Sequence, residues 1–473
     1  MVPNQLSSFL ERRYRKRLKD FYTPLQPADG RGIKENTHIT VIGGGIAGSI
    51  FVRQLALEAH KAGKNINITL VNSTNCNYCG GLITNLAMDT LEELCNLDIP
   101  DDLVLKQVTE CIYINKAGSV NVELDKPLTA TLRTSRFGYL GFDDSVKNRV
   151  TKGLPKEAIE RIEIIEPTLA KKVLRVSGQH HKWEIVLSKR NPDNTNKVLK
   201  TDIVVLACGF RSVNKPMLKD FQKTTGYQPP PYIAAAVTEV DTSKATKNLI
   251  SNRMFILDGI IPDCVVAFIP KGPNWLTLTT LNKKLSIEDL DIIFGHPKVQ
   301  EYIKLSNPSD CLRCHTICGA KVYLGESKIF YGDNWFVIGD LTGYGRVLKD
   351  GYFAAVLGAQ LAAETLVHLG ADAQSLRKGY HNRLKHFAKD NFYGRNLFKL
   401  NNWLSQKNWF AKIFILAAHS ESRYKNGAYV HSAIRALANG ELSYKMIVFL
   451  FAIGLIKHPL LTFRALMGGR NDI

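Results

Sequence analysis

The sequence predicts an α/β protein in which a parallel, dinucleotide-binding sheet carries an inserted antiparallel sheet and is followed by a helical region. Three observations lead to this prediction. A glycine-rich strand–helix–strand unit lies close to residue 40, and pairs of short apolar runs separated by turn residues fill the middle of the chain. The final quarter of the chain is helical in pattern and progressively apolar.

The glycine-rich unit carries the clearest functional signal. A β-branched run, Ile39–Ile42, is typical of a buried parallel strand and ends at Gly43, with further glycines at Gly45 and Gly48. A helical stretch and a second strand, Ile66–Val71, follow. In such a unit one glycine allows the turn, one lets the backbone approach a pyrophosphate, and one lets helix and strand pack closely. The order of these parts predicts a Rossmann-like dinucleotide site at a helix N-terminus.

The end of the second strand departs from this pattern. An acidic residue normally binds the adenosine ribose hydroxyls there, and this chain has Asn72. An amide can accept or donate one such hydrogen bond, but it lacks the charge. We expect Asn72 to contact the cofactor, with the ribose bound less tightly or held from elsewhere in the chain.

The composition and net charge of the chain limit the kinds of partner that it can bind. The 473 residues carry a net charge of +19, and a content of 45% hydrophobic and 22% charged residues excludes extensive disorder. The basic charge suits nucleic acid or an anionic membrane surface. Because no zinc finger, helix-turn-helix or aromatic-basic RNA motif is visible, we expect an anionic membrane surface and no nucleic acid.

Residues 1–37 form a basic leader with a predicted helix over about residues 7–21. This helix either packs on the protein or lies on a membrane. The leader has no apolar segment of the kind that a secretory signal requires, and the nine cysteines show no regular spacing. We therefore expect a cytoplasmic protein that is peripheral on the membrane.

The middle of the chain alternates between predicted strands, turns and helices. The strands are Cys111–Asn115 and Ser119–Leu124 (a hairpin that begins the inserted sheet), 159–167, Trp183–Leu187, Asp202–Ala207, Ile233–Val240, Cys264–Gly272 with Trp275–Thr280 (an antiparallel pair), and Trp335–Asp340. Helices are predicted over 287–305 and 351–369, the second rich in small residues that favour close packing.

The C-terminal region, residues 371–473, is predicted to be helical and to associate with a membrane. Its most apolar run, Met446–Ile456, contains no charge, but eleven helical residues reach only about 16 Å, far short of the roughly 30 Å of a bilayer core. This run is either a buried core helix or an element that dips into one leaflet. The histidines of this region, including His381, show no metal-binding spacing, so a structural or surface role is expected.

The order of motifs along the chain resembles the geranylgeranyl reductase family of FAD-dependent oxidoreductases, which have the p-hydroxybenzoate-hydroxylase-like flavoprotein fold. The resemblance covers about residues 38–370. The residues that carry it are Gly43, Gly45 and Gly48, then Cys79-Gly80-Gly81, then Phe268, Pro270, Lys271 and Gly272, and finally Gly339-Asp340 before the small-residue helix. The family's tryptophan before this Phe-x-Pro segment is absent, with Val266 and Ala267 in its place.

The resemblance implies FAD as the cofactor and a role for each motif. Cys79, Gly80 and Gly81 would form the catalytic loop beside the flavin ring, and Phe268 and Pro270 would line the cavity for a prenyl chain. Asp340 would accept a hydrogen bond from a ribityl hydroxyl, and Gly339 belongs to the same motif. The helix beginning at Gly351 would direct its positive end toward the flavin and stabilise the reduced, anionic ring.

The resemblance also implies a domain organisation. The FAD-binding domain would consist of about residues 38–110, 145–215 and 330–370, with the substrate-binding sheet interleaved over about 111–144 and 216–329.

The implied reaction is hydride transfer from reduced flavin to a carbon–carbon double bond of an isoprenoid lipid or quinone, an apolar, lipid-like substrate. Two alternatives stay open: a flavin monooxygenase or halogenase acting on an apolar substrate, and a flavin protein that passes electrons to quinone. The Asp-Gly pair that hydroxylases use is here Cys208-Gly209, which argues against the monooxygenase. Only one dinucleotide motif is visible. The electron donor is therefore either NAD(P)H, bound without a Rossmann unit of its own, or a redox protein.

The cysteines allow more than one interpretation. No metal site is predicted, but Cys76, Cys79, Cys311, Cys314 and Cys318 form two CxxC-containing loops that would hold a metal or iron–sulfur cluster if the loops met. A flavin-linked dithiol is an alternative. Reduced cysteines lining an apolar cavity are the favoured interpretation.

Overall fold

A computed structural model of the chain describes residues 12–14, 22–25, 32–73, 81–131, 140–176, 182–189, 197–313, 315–348, 351–422 and 429–457. All structural statements below concern these residues. Cys76, Cys79, Gly80 and Cys314, together with most of the predicted leader helix, lie outside them.

Nineteen strands occur in the described ranges, and we number them in chain order. They are β1 His38–Ile42, β2 Asn67–Val71, β3 Leu82–Ile83, β4 Val104–Asn115, β5 Gly118–Thr131, β6 Ile162–Ile165, β7 Thr168–Arg175, β8 Trp183–Lys189, β9 Lys197–Thr201, β10 Ile203–Leu206, β11 Tyr232–Asp241, β12 Lys247–Asn248, β13 Arg253–Asp258, β14 Val265–Pro270, β15 Trp275–Leu281, β16 Ile303–Lys304, β17 Cys318–Tyr323, β18 Tyr331–Gly332 and β19 Trp335–Val337.

The α-helices of the same ranges are also numbered in order. They are α1 Ile46–Lys61, α2 Asn85–Cys95, α3 Phe142–Asn148, α4 Lys156–Ile159, α5 Pro216–Thr225, α6 Ile287–Gly295, α7 Pro297–Gln300, α8 Gly351–His368, α9 Ala373–Leu376, α10 Asn382–Phe387, α11 Asn391–Leu404, α12 Asn408–Glu421, α13 Tyr429–Asn439 and α14 Tyr444–Ile456.

A six-stranded sheet with the order β18-β19-β10-β1-β2-β6 is parallel except at its β18 edge. Helices α1 and α8 pack on it with a shared hydrophobic core. Because β1, β2, β6, β10 and β19 run in the same direction, their carboxyl ends meet at one edge of the sheet, where α/β proteins bind their ligands.

An eight-stranded sheet has the order β17-β11-β15-β14-β13-β4-β5-β3 and is antiparallel except where β13 meets β4. One face carries a core built with α6, and the other packs against α12 and α13. The sequence-predicted hairpin and antiparallel pair are both in this sheet, as β4–β5 and β14–β15. A three-stranded sheet, β7-β8-β9, is separate from both.

The predicted helix over 287–305 is wrong beyond Gly295. Helix α6 ends there, α7 begins at Pro297, and Ile303–Lys304 forms a strand. Proline disfavours the α conformation of the residue before it, so His296 adopts extended backbone and separates the two helices. The signal for this break was present in the sequence.

Candidate functional site

The carboxyl end of β1 forms a cradle of backbone. Gly43 has φ +115°, and a Cβ atom there would lie 2.5 Å from the carbonyl oxygen of Ala207 on the adjacent strand connection. At Gly48 a Cβ would lie 1.9 Å from the Gly43 carbonyl oxygen, so helix and loop pack in direct backbone contact. At Gly45 a Cβ would meet nothing within 4 Å. The space beside Gly45 is therefore free for a ligand, whereas Gly43 and Gly48 are required by the fold.

Helix α1 begins next to that space with favourable electrostatics for an anion. Its N-cap, Gly45, provides no side-chain hydrogen bond, and its first turn contains no acidic residue. The first N–H groups of a sixteen-residue helix thus point toward the loop with the positive end of the helix dipole. This is the arrangement that binds a pyrophosphate.

The second predicted motif lies against the first. Gly339 follows β19 with φ +65°, and a Cβ there would lie 2.8 Å from the Cβ of Ala47 in the first turn of α1. The structure therefore brings Gly339 and Asp340 to the same end of the sheet as Gly43, Gly45 and Gly48. Two sequence motifs almost three hundred residues apart form one site.

Asp340 is the most distinctive polar group of this site. Its side chain makes no hydrogen bond with any residue that the structure describes, and it lines a cavity together with Gly339, Gly351, Tyr344 and Ala354. Although Asp340 is exposed at the cavity, partial desolvation by the surrounding protein atoms raises the pKa of its carboxyl from 3.8 to about 6. Asp340 is exposed to this cavity, so its carboxylate can accept a hydrogen bond from a bound ligand. The resemblance assigns this hydrogen bond to a ribityl hydroxyl of FAD.

A hydrogen-bonded chain of three side chains reaches the same cavity. The Tyr344 hydroxyl lies 2.9 Å from Nε2 of His381, and Nδ1 of His381 lies 3.0 Å from the Tyr331 hydroxyl. Burial, Lys385 and Arg377 lower the pKa of His381, so its neutral ring can accept on one nitrogen and donate on the other. Burial raises the pKa of Tyr344 to about 12. The sequence predicts only a structural or surface role for His381, because its spacing from acidic residues does not suggest a metal site, and no local pattern links it to Tyr344.

At the end of the site expected to bind adenosine, Glu166 provides a carboxylate beside Asn72. Asn72 Oδ1 accepts a 3.2 Å hydrogen bond from the Gly44 N–H, and Asn72 Nδ2 donates to Glu166 Oε2 at 3.0 Å. Glu166 follows β6, the strand beside β2. Lys147 Nζ contacts the same carboxylate at 2.5 Å. Glu166 was missed because the pairing of β2 with β6 is not visible in local sequence.

The two substrate-side motifs also meet. Lys271, at the end of β14, is buried and donates from Nζ to the carbonyl oxygens of Gly81 at 2.8 Å and Thr131 at 2.5 Å. The segment after Phe268 is thus attached to the last residue of the Cys-Gly-Gly motif. Gly81 has φ +66°, and a Cβ there would lie 2.6 Å from Lys271 Nζ, so glycine permits this close approach.

Phe268 and Pro270 are buried, and Phe268 packs toward α6. Phe268 has ring neighbours Phe255 at 5.9 Å and Phe294 at 5.3 Å. The opposite face of β14 carries the half-buried Ala267. The role of Phe268 and Pro270 in substrate binding stays a prediction.

Of the five cysteines considered as metal ligands, the structure describes Cys311 and Cys318. Cys311 is buried in a 3₁₀ turn, where its thiol donates to the Asn307 carbonyl oxygen at 3.4 Å, and Cys318 is half-buried at the start of β17. Within the described ranges no group of three His, Cys, Asp or Glu side chains is arranged to hold a metal ion.

This chain is similar to known proteins in its structure and not in its sequence. No protein-family model matches the sequence, and no curated protein matches it. A flavoprotein/dehydrogenase from Cytophaga hutchinsonii aligns with a TM-score of 0.59 and 13% identity over 92% of this chain and 100% of its own. The fold is that of FAD-binding flavoproteins.

Two further solved structures support the same fold. A geranylgeranyl bacteriochlorophyll reductase-like protein from Thermoplasma acidophilum has a TM-score of 0.53 at 12% identity over 91% of this chain and 99% of its own. The flavin-dependent brominase Bmp2 has a TM-score of 0.51 at 14% identity over 89% and 100%. The predicted α/β architecture with its C-terminal helices is confirmed.

The residues present fit FAD. The open space at Gly45 and the uncapped helix N-terminus suit a pyrophosphate, Asp340 offers an acceptor for a ribityl hydroxyl, and Asn72 with Glu166 offers acceptors for the adenosine ribose. The three groups occur in the order in which the parts of FAD occur.

Proposed function

We propose that this protein is an FAD-dependent oxidoreductase that reduces carbon–carbon double bonds in the prenyl chain of an isoprenoid lipid or quinone. The observation that carries the proposal is the contact of Lys271 with Gly81, because it joins the two segments that resemble the reductases. The reductase-like protein from Thermoplasma acidophilum has the same fold.

When bound, reduced FAD supplies the hydride, and a proton completes the addition across the double bond. The chain itself would position the reactants. Lys271 would fix the backbone of Gly81, the last residue of the Cys-Gly-Gly motif, relative to β14. Because the Lys271 ammonium is buried and bound to carbonyl oxygens, its work is to hold this backbone.

We place the apolar chain on the face of the eight-stranded sheet that carries Ala267. Ala267 pairs with Ile256 on β13 and with Thr279 on β15, and all three residues are half-buried. We propose that a flexible hydrocarbon lies along this row of apolar or small side chains. The family that the sequence resembles has a bulky tryptophan at the position of Val266 or Ala267.

The mass of the lipid product after a single turnover tests this proposal. The dithionite-reduced holoenzyme is mixed without oxygen with a geranylgeranyl glycerol ether or a polyprenyl quinone. We expect flavin reoxidation and a lipid product that has gained two hydrogens in its prenyl chain. Reoxidation by quinone with an unchanged prenyl chain would favour electron transfer. A product that gains an oxygen or halogen atom when oxygen is admitted would favour the monooxygenase or halogenase.

Two variants test the roles assigned to Ala267 and Lys271. Ala267→Phe should lower the reduction rate by filling the row, while FAD content and melting temperature stay unchanged. Lys271→Met should slow hydride transfer more than it weakens FAD binding, because Lys271 contacts the Gly81 segment and not the glycine cradle. Lys283→Met, at a 40%-exposed lysine paired with Asp289, is the matched control. Equal rates in Lys271→Met and the wild type would contradict the assigned role.

A further inference from the structure

The C-terminal helices carry an unusual concentration of exposed apolar side chains. Within the described ranges, every exposed Phe or Trp side chain belongs to α11, α12 or α14. With two exposed aliphatic residues they form what we call the C-terminal apolar surface: Phe392, Leu400, Trp403, Trp409, Phe449 and Ile456, with exposed fractions of 41–75%. Large exposed apolar surface on a folded protein marks a binding site.

This surface is not made of poorly packed helices. Helix α14 buries Ile447, Leu450 and Gly454 on its inner face, whereas Phe449 and Ile456 lie on the outer one. Its first residue, Tyr444, packs so closely on α11 that a Cβ at Gly394 would lie 2.7 Å from the tyrosine ring. Both faces of α14 are therefore apolar, and only the inner one is covered by the described chain.

The charge of this region complements an anionic surface. Residues 391–457 contain nine Lys and Arg but only two acids, Glu421 and Glu441. Both acids are buried. The lysines Lys399, Lys407, Lys445 and Lys457 are exposed, and Lys445 and Lys457 flank the two ends of α14. The region therefore offers cations and apolar groups to solvent without an exposed carboxylate among its described residues.

We propose that the C-terminal apolar surface docks onto an anionic lipid bilayer. Amphipathic helices that lie in the membrane interface combine apolar and aromatic side chains with basic residues in this way. Trp403 and Trp409 suit the headgroup region, where an indole can bury its ring and keep its N–H hydrated. No described helix is long and apolar enough to cross a bilayer. The docking is therefore interfacial.

The docking surface is attached directly to the cofactor loop. Arg346, six residues after Asp340, donates to the carbonyl oxygens of Gly440 and, at 2.7 Å, of Leu442, just before α14. Asn391, the first residue of α11, accepts from the Val347 N–H at 3.1 Å and donates to the Gly345 carbonyl oxygen at 2.8 Å. Docking would therefore hold the site at the lipid surface, where an apolar substrate is dissolved.

The test is flotation of the full-length holoprotein with vesicles, which does not depend on any reaction. We expect binding to phosphatidylcholine vesicles that contain phosphatidylserine, weaker binding to pure phosphatidylcholine, and loss of binding as salt is raised. The double variant Trp403→Glu/Phe449→Glu should bind about tenfold less tightly or worse. The double variant Leu249→Glu/Ile292→Glu, at exposed apolar positions elsewhere, is the matched control and should bind like the wild type.

Bromine-labelled lipid adds a positional readout. Of the five tryptophans, only Trp403 and Trp409 are exposed, so quenching of their fluorescence by brominated acyl chains would place these helices in the interface. Absence of binding to anionic vesicles, or binding unchanged in Trp403→Glu/Phe449→Glu, overturns the proposal. So does a lipid-free dimer in ultracentrifugation that this variant abolishes, because a second copy would then be the occupant.

Discussion

At the adenosine end of the cofactor site the polar groups are already paired: Asn72 donates to Glu166, and Glu166 accepts from Lys147 with a third of its side chain exposed. At the flavin end Asp340 has no donor among the described residues and is exposed to the cavity, where partial desolvation raises its pKa to about 6. The first carboxylate is already paired within the protein, whereas the second is available to accept from the cofactor. The flavin end should therefore contribute more of the binding free energy.

The largest effect is expected from Asp340→Asn. A hydrogen bond to a charged acceptor contributes roughly 1.5–3 kcal/mol, so FAD affinity should fall by about one to two orders of magnitude. Titration of apoprotein with FAD, followed by quenching of flavin fluorescence, measures this. Asp291→Asn, on the exposed side of α6, is the control. Unchanged affinity in Asp340→Asn would remove Asp340 from the list of ligands.

The same carboxyl should make FAD affinity depend on pH. The ionised form is the better acceptor, so binding a hydroxyl donor lowers the raised pKa of about 6. Affinity should be full above pH 6 and should decrease as pH falls through this value. The stability of the apoprotein should respond in the opposite direction, because between pH 6 and 3.8 the folded state binds the proton and the unfolded state does not. Fluorescence titrations from pH 5 to 8 test this, and the pH dependence should vanish in Asp340→Asn.

Much of the fold could be predicted because its signals are local. The run Ile39–Ile42 with its glycines, the hairpin of β4 and β5, and the Gly339-Asp340 turn each carry their own pattern of burial or backbone freedom. The end of α6 was missed although Pro297 marks it in the sequence.

The unpredicted parts of the site depend on contacts between distant segments. Glu166 reaches Asn72 only because β6 pairs with β2, and His381 reaches Tyr344 only because a short helical turn packs beneath the loop after Asp340. Lys271 was part of a recognised motif, but its partner Gly81 lies 190 residues away. Local sequence shows residue types and spacing, and it does not show which segments meet.

A pair of glycine substitutions separates ligand binding from folding. Gly45→Ala places its methyl group in open space, so apoprotein stability should stay within about 0.5 kcal/mol while FAD affinity falls about tenfold by collision with the bound pyrophosphate. Gly48→Ala would bring a Cβ to 1.9 Å from the Gly43 carbonyl oxygen and should destabilise the fold by about 3 kcal/mol. Urea unfolding of both apoproteins, with FAD titration of Gly45→Ala, measures the difference. Equal stability losses in the two variants would contradict the geometry of the cradle.

The smallest effect is expected from Glu166→Gln at the adenosine end. Exposed ion pairs contribute about 0.2–1 kcal/mol, and glutamine keeps an oxygen that can accept from Asn72, so FAD affinity should fall by only about two- to fivefold. The loss should shrink further at high salt, because the remaining contribution of the charge is screened. Glu163→Gln, at an exposed position of β6 three residues before Glu166, serves as the control. A loss as large as that of Asp340→Asn would show that Glu166, and not Asp340, is the principal anchor, and the contrast between the two ends would have to be reversed.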